Sequence, residues 1–210
     1  MAAQIENLVT SGTFSLDGGT WDVDNNVWII GDEAEVFVID PAHKPAAIVE
    51  AVGGRKVTAI LLTHGHDDHI RYARDFAEMV NAPIYMNPED QMLWEDVFPG
   101  TTPDQEISDG DTFDIAGTTL KAIHTPGHSP GSTCFYAEEL DTVFSGDTLF
   151  SGGPGATGRS YSSYETIVAS IRDRLLVLPQ NTIVNTGHGD ATSIAAEAPQ
   201  LQEWLDQISK

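Results

Sequence analysis

An apolar run, Val57-Thr-Ala-Ile-Leu-Leu62, leads without a break into Thr63-His-Gly-His-Asp-Asp-His69. A continuous apolar segment of this length reads as a strand covered on both faces, and only a sheet with layers on either side provides that cover. The strand therefore delivers a polar, metal-ligating loop from the middle of a layered fold. The chain has seven histidines, and this heptapeptide alone holds three of them.

Within the loop, His64 and His66 are separated by one residue, so in extended chain both imidazoles point the same way and reach one ion. Asp68 and His69 need a turn to reach a second ion nearby. Three more donors follow at long intervals: His128 in Thr125-Pro-Gly-His128, Asp147 in Ser145-Gly-Asp147-Thr, and His188 in Thr186-Gly-His188-Gly-Asp. His128 follows a Pro-Gly turn that aims it back at the site. Asp147 sits just past an apolar strand, where a carboxylate can bridge two cations. Each of these last three lies beside a glycine at a strand end, and donors carried by rigid elements make precise sites. His43 and His124 read as surface or hydrogen-bonding residues.

Nitrogen and oxygen donors in this mixture suit zinc, and less exclusively iron or manganese. Two such ions about 3.5–4 Å apart hold a bridging hydroxide near neutral pH, a nucleophile that needs no serine or cysteine. Cys134 is the only cysteine and lies in the strand-like Ser132-Thr-Cys-Phe-Tyr136, so it reads as a buried core thiol. The net charge is −22, with 32 acids against 10 bases and no basic run. Such a chain repels nucleic acid and anionic membrane surfaces, which leaves a small molecule as its partner. No apolar run approaches the roughly 18 residues of a membrane span. Met1-Ala-Ala-Gln-Ile-Glu-Asn7 lacks a secretory signal, so a soluble cytoplasmic protein is expected.

Strand-like and helix-like segments alternate along the chain. Val27–Ile30 and Glu35–Asp40 read as a hairpin across Gly31-Asp32, and Pro45–Val52 as a helix stopped by Gly53-Gly54. Helical spacing runs from Ile70 to Asn81, a strand covers Pro83–Met86, and a proline-started helix covers Pro88–Phe98. In the second half, strands are expected at Thr118–Ile123, Ser132–Tyr136, Thr142–Phe144 and Thr182–Asn185. Helices are expected at Tyr161–Leu178 and Ala195–Ile208. Two halves of this kind imply two sheets face to face with helices outside, in one domain spanning residues 1–210. Gly153-Pro-Gly-Ala-Thr-Gly158-Arg-Ser160 mimics a phosphate loop but lacks the required lysine, so its glycines are assigned to close approach to the metal site.

The motifs, in order, resemble the metallo-β-lactamase superfamily, and within it the glyoxalase II-like hydrolases, over about Asn26–Asp190. The resemblance implies an α/β fold, a four-layer αβ/βα sandwich, with the site at one edge of the sheets. It implies that His64, His66 and His128 hold a first zinc ion, that Asp68, His69 and His188 hold a second, and that Asp147 bridges them. Asp68 is then also the catalytic carboxylate that orients the hydroxide. Asp40, in Val38-Ile-Asp-Pro41, matches an acid that buttresses the ligand loop. Arg159, after the glycine-rich stretch, and Tyr161 match residues near the substrate. Having both His69 and Asp147 argues against antibiotic hydrolysis, and histidine rather than glutamate at position 66 argues against oxygen-reducing di-iron chemistry.

Two departures stand out. Ile70-Arg71-Tyr72 replaces glycines found in many relatives, implying a bulkier pocket wall. The chain also runs only 22 residues past His188, against the helical region that larger glyoxalase II enzymes use for glutathione. The expected activity is hydrolysis of a small thioester. A lactone hydrolase and a mononuclear iron persulfide dioxygenase are the alternatives, and the carrier thiol and oligomeric state are left open.

Overall fold

The computed structural model describes residues 3–208. Residues 1 and 2 of the Met1–Asn7 stretch therefore lie outside the described residues, as do 209 and 210 of the expected single domain.

Two six-stranded sheets face each other. The first is built from β1 (Gln4–Leu16), β2 (Gly19–Gly31), β3 (Glu35–Ile39), β4 (Lys56–Leu61), β5 (Ile84–Met86) and β6 (Gln105–Glu106), in that order. The other strands are β7 (Thr112–Ile115), β8 (Thr118–His124), β9 (Thr133–Ala137), β10 (Thr142–Gly146), β11 (Leu149–Phe150), β12 (Gly153–Pro154), β13 (Ile183–Thr186) and β14 (Thr192–Ser193). Of these, the second sheet takes the order β14-β13-β10-β9-β8-β7, and β11 pairs with β12 separately. The helices are α1 (Pro45–Val52), α2 (Asp67–Ile70), α3 (Ala73–Val80), α4 (Gln91–Val97), α5 (Tyr164–Ser170), α6 (Ile194–Glu197) and α7 (Leu201–Ile208). None of the described helices is long and apolar enough to cross a membrane.

The apolar run at residues 57–62 sits where its pattern demands. β4 pairs in parallel with both β3 and β5, in the interior of the first sheet. Val57, Ile60 and Leu62 pack outward with Ile48 and Val52 of α1, Phe76 of α3 and Trp94 of α4. Ala59 and Leu61 pack inward against Leu120, Ala122, Phe135 and Phe144 of the second sheet. A register shift opposite Thr58 lets Val57 and Ile60 share a face despite their odd spacing. The outer face of the second sheet is covered by Ile167 and Val168 of α5, Ile171, Leu175, Ile194 of α6 and Trp204 of α7. The order of layers is helix, sheet, sheet, helix, as expected.

Several boundaries differ from the sequence reading. The long β1–β2 hairpin was not expected; it turns at Asp17-Gly18, both with positive φ, as a two-residue hairpin loop requires. The helix expected from Ile70 to Asn81 is broken at Tyr72, which leaves the helical region, and α2 forms a separate turn. The helix expected at Tyr161 starts three residues later, because Tyr161 has φ 68° and Ser163 caps the helix by accepting from Thr166 N–H. The last helix is divided by a tighter turn around Pro199, whose ring removes a backbone donor.

Candidate metal centre

All seven donors collect where strands of the two sheets end. His64 follows β4, and the chain then turns into α2, with His66 just before it and Asp68 and His69 within it. His128 lies in the β8–β9 connection, Asp147 directly after β10 and His188 just beyond β13. The parallel pairing of β10 with β13 brings the last two side by side, although Asp147 and His188 are far apart in sequence.

The donors form two groups. Ligand atoms of His64, His66 and His128 lie within 4.8 Å of one another, and so do those of Asp68, His69 and His188. Asp147 stands between them: Oδ2 is 3.6 Å from His128 Nε2 and 3.3 Å from His188 Nε2, while Oδ1 is 3.5 Å from His69 Nε2. His188 Nε2 also lies 3.3 Å from Asp68 Oδ2 and 3.2 Å from His69 Nε2.

Outer partners set the tautomers. Asp40 Oδ2 accepts from Thr63 Oγ1 at 2.6 Å and from His69 Nδ1 at 2.8 Å, and its Oδ1 accepts from Thr63 N at 2.8 Å. With its proton given to Asp40, the Thr63 hydroxyl accepts from His64 Nδ1 at 3.0 Å. His128 Nδ1 donates to the Ala156 carbonyl at 2.8 Å and His188 Nδ1 to that of Asp24 at 2.7 Å. Four histidines are thereby locked to present Nε2 inward, the arrangement that orients imidazole ligands. Asp40 thus has the buttressing contacts its sequence position suggested.

The donor set fits a pair of cations. The Nε2 atoms of His64, His66 and His128 and Oδ1 of Asp147 are buried with no hydrogen-bond partner. Orphaned polar atoms of this kind are costly unless an ion or proton meets them. Burial and neighbouring histidines hold His64 well below the ordinary imidazole range and bring His66 down to about 3, so both offer lone pairs.

In the second group the metal-free balance differs. Burial works against charging His69, yet Asp68, Asp147 and Asp40 raise it to about 9. Burial likewise opposes the charge on His188, and Asp147 with Asp68 raises it to about 11. Burial favours a neutral Asp68, but His69 and His188 hold it at about 2. The raised histidines stabilise the metal-free fold fully below their unfolded value of about 6.5, and that stability is lost as pH climbs from there through about 9 for His69 and about 11 for His188. The expected result is a melting temperature of chelator-treated protein that falls between pH 7 and 9.5. Zinc-loaded protein should be flatter over this range, since an ion replaces the protons. Parallel pH profiles in the two states would refute the assignment.

A pocket of about 160 Å³ opens on these donors, lined also by Phe14, Val23, Ala156, Arg159 and Ser162. Arg159 lies over the Trp21 ring at 3.9 Å and the Phe14 ring at 4.9 Å, with Nη1 buried and unpartnered. Its loop is tied to the hairpin tip, where Asp17 accepts from Ser160 N at 3.0 Å and Oγ at 2.7 Å. Tyr161 is not brought to the pocket; it is 54% exposed, on a backbone turned away from helix by its positive φ. The bulkier wall expected after His69 is also absent. Ile70 packs into the helical face of the core and Arg71 pairs with Asp67. The phosphate-loop mimic instead approaches the site: a Cβ on Gly155 would collide with the Asp147 carbonyl.

Asn25 and Phe14 were missed by the sequence reading. Asn25 Nδ2 donates to Asp68 Oδ2 at 2.9 Å, and its Oδ1 accepts from His43 Nε2 at 2.8 Å, so His43 takes the hydrogen-bonding role of the two expected for it and is a buried brace. The Asp17-Gly18 dipeptide was the available signal, since the hairpin it closes sets Phe14 opposite Trp21.

The family model of the metallo-β-lactamase superfamily matches residues 20–188. The chain belongs to this superfamily. Hydroxyacylglutathione hydrolase GloC of Haemophilus influenzae is 31% identical over 181 residues, covering 79% of this chain and 85% of that protein. The crystal structure of the B3 metallo-β-lactamase BLEG-1 shares 28% identity at a TM-score of 0.75, over 90% of this chain and 97% of the other. TTHA1623, solved in a di-iron-bound form, shares 32% identity at a TM-score of 0.72, over 84% and 93%. As a member of the metallo-β-lactamase superfamily the chain has the α/β sandwich, and its His/Asp cluster is suited to divalent metal. The matched segment contains all seven donors and leaves β1, with Phe14, outside it.

Proposed function

We propose that this chain is a two-metal hydrolase of a small acyl thioester. The observation that carries the reading is Asp147, whose single carboxylate faces His128 with one oxygen and His69 with the other. A carboxylate shared in this way, beside a complete second donor set, supports two ions rather than one. Two divalent ions, zinc or iron or manganese, supply an acidified water and an electrophile for the carbonyl.

The side chains do the remaining work. Asp68 lines the pocket with one oxygen fixed by Asn25, and orients the attacking water. No pocket side chain competes as nucleophile. Ser162 Oγ donates to the Arg159 carbonyl at 2.7 Å and accepts from Gly158 N at 2.9 Å, so it is committed to its own turn. Cys134 is buried in the core, where burial pushes its thiol up to about 11. A thiolate leaving group needs little protonation, which suits a pocket with no strong acid. The pocket volume is below the roughly 300–1,000 Å³ of drug-sized sites, which suits a short acyl group with its carrier outside.

Arg159 lines this pocket, and its unpartnered Nη1 suits a carboxylate or carbonyl of the substrate. Arg159→Ala is expected to raise KM about 10- to 100-fold with kcat nearly unchanged, the size of a lost charge-assisted hydrogen bond. Steady-state kinetics decide it; an unchanged KM refutes the role.

The short tail after His188 does not weigh against a glutathione carrier, because GloC, named a hydroxyacylglutathione hydrolase, is matched over 85% of its length. The B3 β-lactamase neighbour makes hydrolysis of a cyclic amide a second reading, which the pairing of His69 with Asp147 counts against, and lactone hydrolysis lies close to it. One preparation, assayed for metal content and turned over against thioesters, lactones, a β-lactam and a persulfide with an oxygen electrode, tests all of these. Two ions per chain with thioester turnover supports the proposal. One iron with oxygen uptake, or β-lactam turnover alone, overturns it.

A further inference from the structure

Two buried carboxylates brace the donor loops. Asp40 holds His69 directly and His64 through the Thr63 hydroxyl, while a second acid, Asp90, joins the two loops that carry the three-histidine group. Asp90 lies at the junction between the short turn Pro88–Asp90 and α4, and it is 0% exposed and outside the pocket lining. Its Oδ2 accepts from Gly65 N at 2.7 Å and from Ser129 Oγ at 2.7 Å, and its Oδ1 accepts from Gly131 N at 2.6 Å. Gly65 separates His64 from His66, and Ser129 follows His128. One side chain from a third element therefore ties the loop bearing two histidines to the loop bearing the third.

The site is shaped around this acid. A Cβ on Gly65 would stand 3.0 Å from Asp90 Cβ, and one on Gly131 would stand 2.8 Å from Asp90 Cγ. Packing alone does not call for a carboxylate at a fully buried position, where a charge is costly unless donors surround it. Acceptance from three donors does call for one. An asparagine of equal size offers one acceptor oxygen, and its NH2 would face an N–H of Gly65 or Gly131.

We propose that Asp90 is a positioning residue for the His64, His66 and His128 group, holding the two loops at the spacing one ion needs. The proposal rests on the two-metal reading of the site.

The test is zinc titration of the full chain against a chromophoric chelator, for wild type, Asp90→Asn and Ser129→Ala. Each is also made in a His188→Ala background, which leaves the three-histidine group as the remaining complete set. Urea melts of the metal-free proteins accompany the titrations. Asp90→Asn is expected to weaken the three-histidine step about 10- to 100-fold and leave the other step unchanged, as for outer partners of metal ligands. Ser129→Ala, which removes one donor of three, should give a smaller loss in the same step.

Wild-type constants in Asp90→Asn overturn the proposal. So does equal weakening of both steps together with a lower metal-free stability, which marks a general structural role. If Asp90→Asn does not fold, Ser129→Ala decides, and an unchanged constant there overturns it. Uptake of a single ion by wild type refutes the two-metal reading instead, and Asp90 is then judged on the constant of that ion.

Discussion

Asp147→Ala is expected to empty both halves of the metal centre and to lower hydrolysis by on the order of 10³-fold or more, since losing a single charge-stabilising group already costs 10²–10³. The carboxylate faces His128, His188 and His69 across 3.3–3.6 Å, so its removal takes a donor from each group. It also takes away a negative charge set among imidazoles, which would otherwise offset the repulsion between two bound cations. Burial disfavours that charge, but His188 and His69 keep Asp147 well below the ordinary carboxylate range. Elemental analysis of purified protein, with hydrolysis measured before and after added zinc, checks the result. Full activity in a metal-free variant would sink the mechanism. His66→Ala, which removes a donor from one group only, should likewise abolish turnover while leaving the second group able to bind.

Asp40→Ala should have the next largest effect, and it acts on stability as well as metal. The residue is 1% exposed, and its side chain accepts from Thr63 N, Thr63 Oγ1 and His69 Nδ1. Deleting it leaves three buried donors without an acceptor, a loss of about 3–5 kcal/mol. In a chain of this size that lowers the melting temperature by roughly 6–20 °C. It also frees the His69 ring and the Thr63 hydroxyl that fixes His64, weakening metal binding about 10- to 100-fold. Asp40→Asn separates the two effects. Asparagine tolerates the positive φ of this position, 49°, and keeps the volume, but its NH2 cannot accept from His69. Melting curves with and without chelator distinguish the variants. Wild-type melting and wild-type zinc affinity in Asp40→Ala would show that the acid is only a turn residue.

The chain's local chemistry explains which parts of this arrangement were legible beforehand. Val57–Leu62 announced a strand covered on both faces, and the histidines that follow it announced a donor cluster, because the spacing of His64, His66 and His69 is a short-range property. Pro45 and Gly53 bounded α1 for the same reason. The β1–β2 hairpin was missed because its strands are rich in Thr, Ser, Asp and Asn, and only Asp17-Gly18 marked the turn. Long helices were overextended at Tyr72 and Pro199, where periodicity continues although the backbone does not. Asp90 and Asn25 were invisible for a different reason. Each acts through partners remote in sequence, Gly131 for one and Asp68 for the other, and no local pattern records such a pairing.

The placement of Phe14 and Trp21 at a hairpin tip has a consequence for how such a protein diversifies. β1 is the outermost strand of its sheet, and the tip carries none of the seven donors. Insertions or exchanges there can reshape the mouth of the pocket, and the grip on Arg159, while the donor-bearing loops stay in register. If the proposed hydrolase reading holds, selectivity lies on a peripheral, replaceable hairpin tip and reactivity on the interior strands, so the two can drift at separate rates.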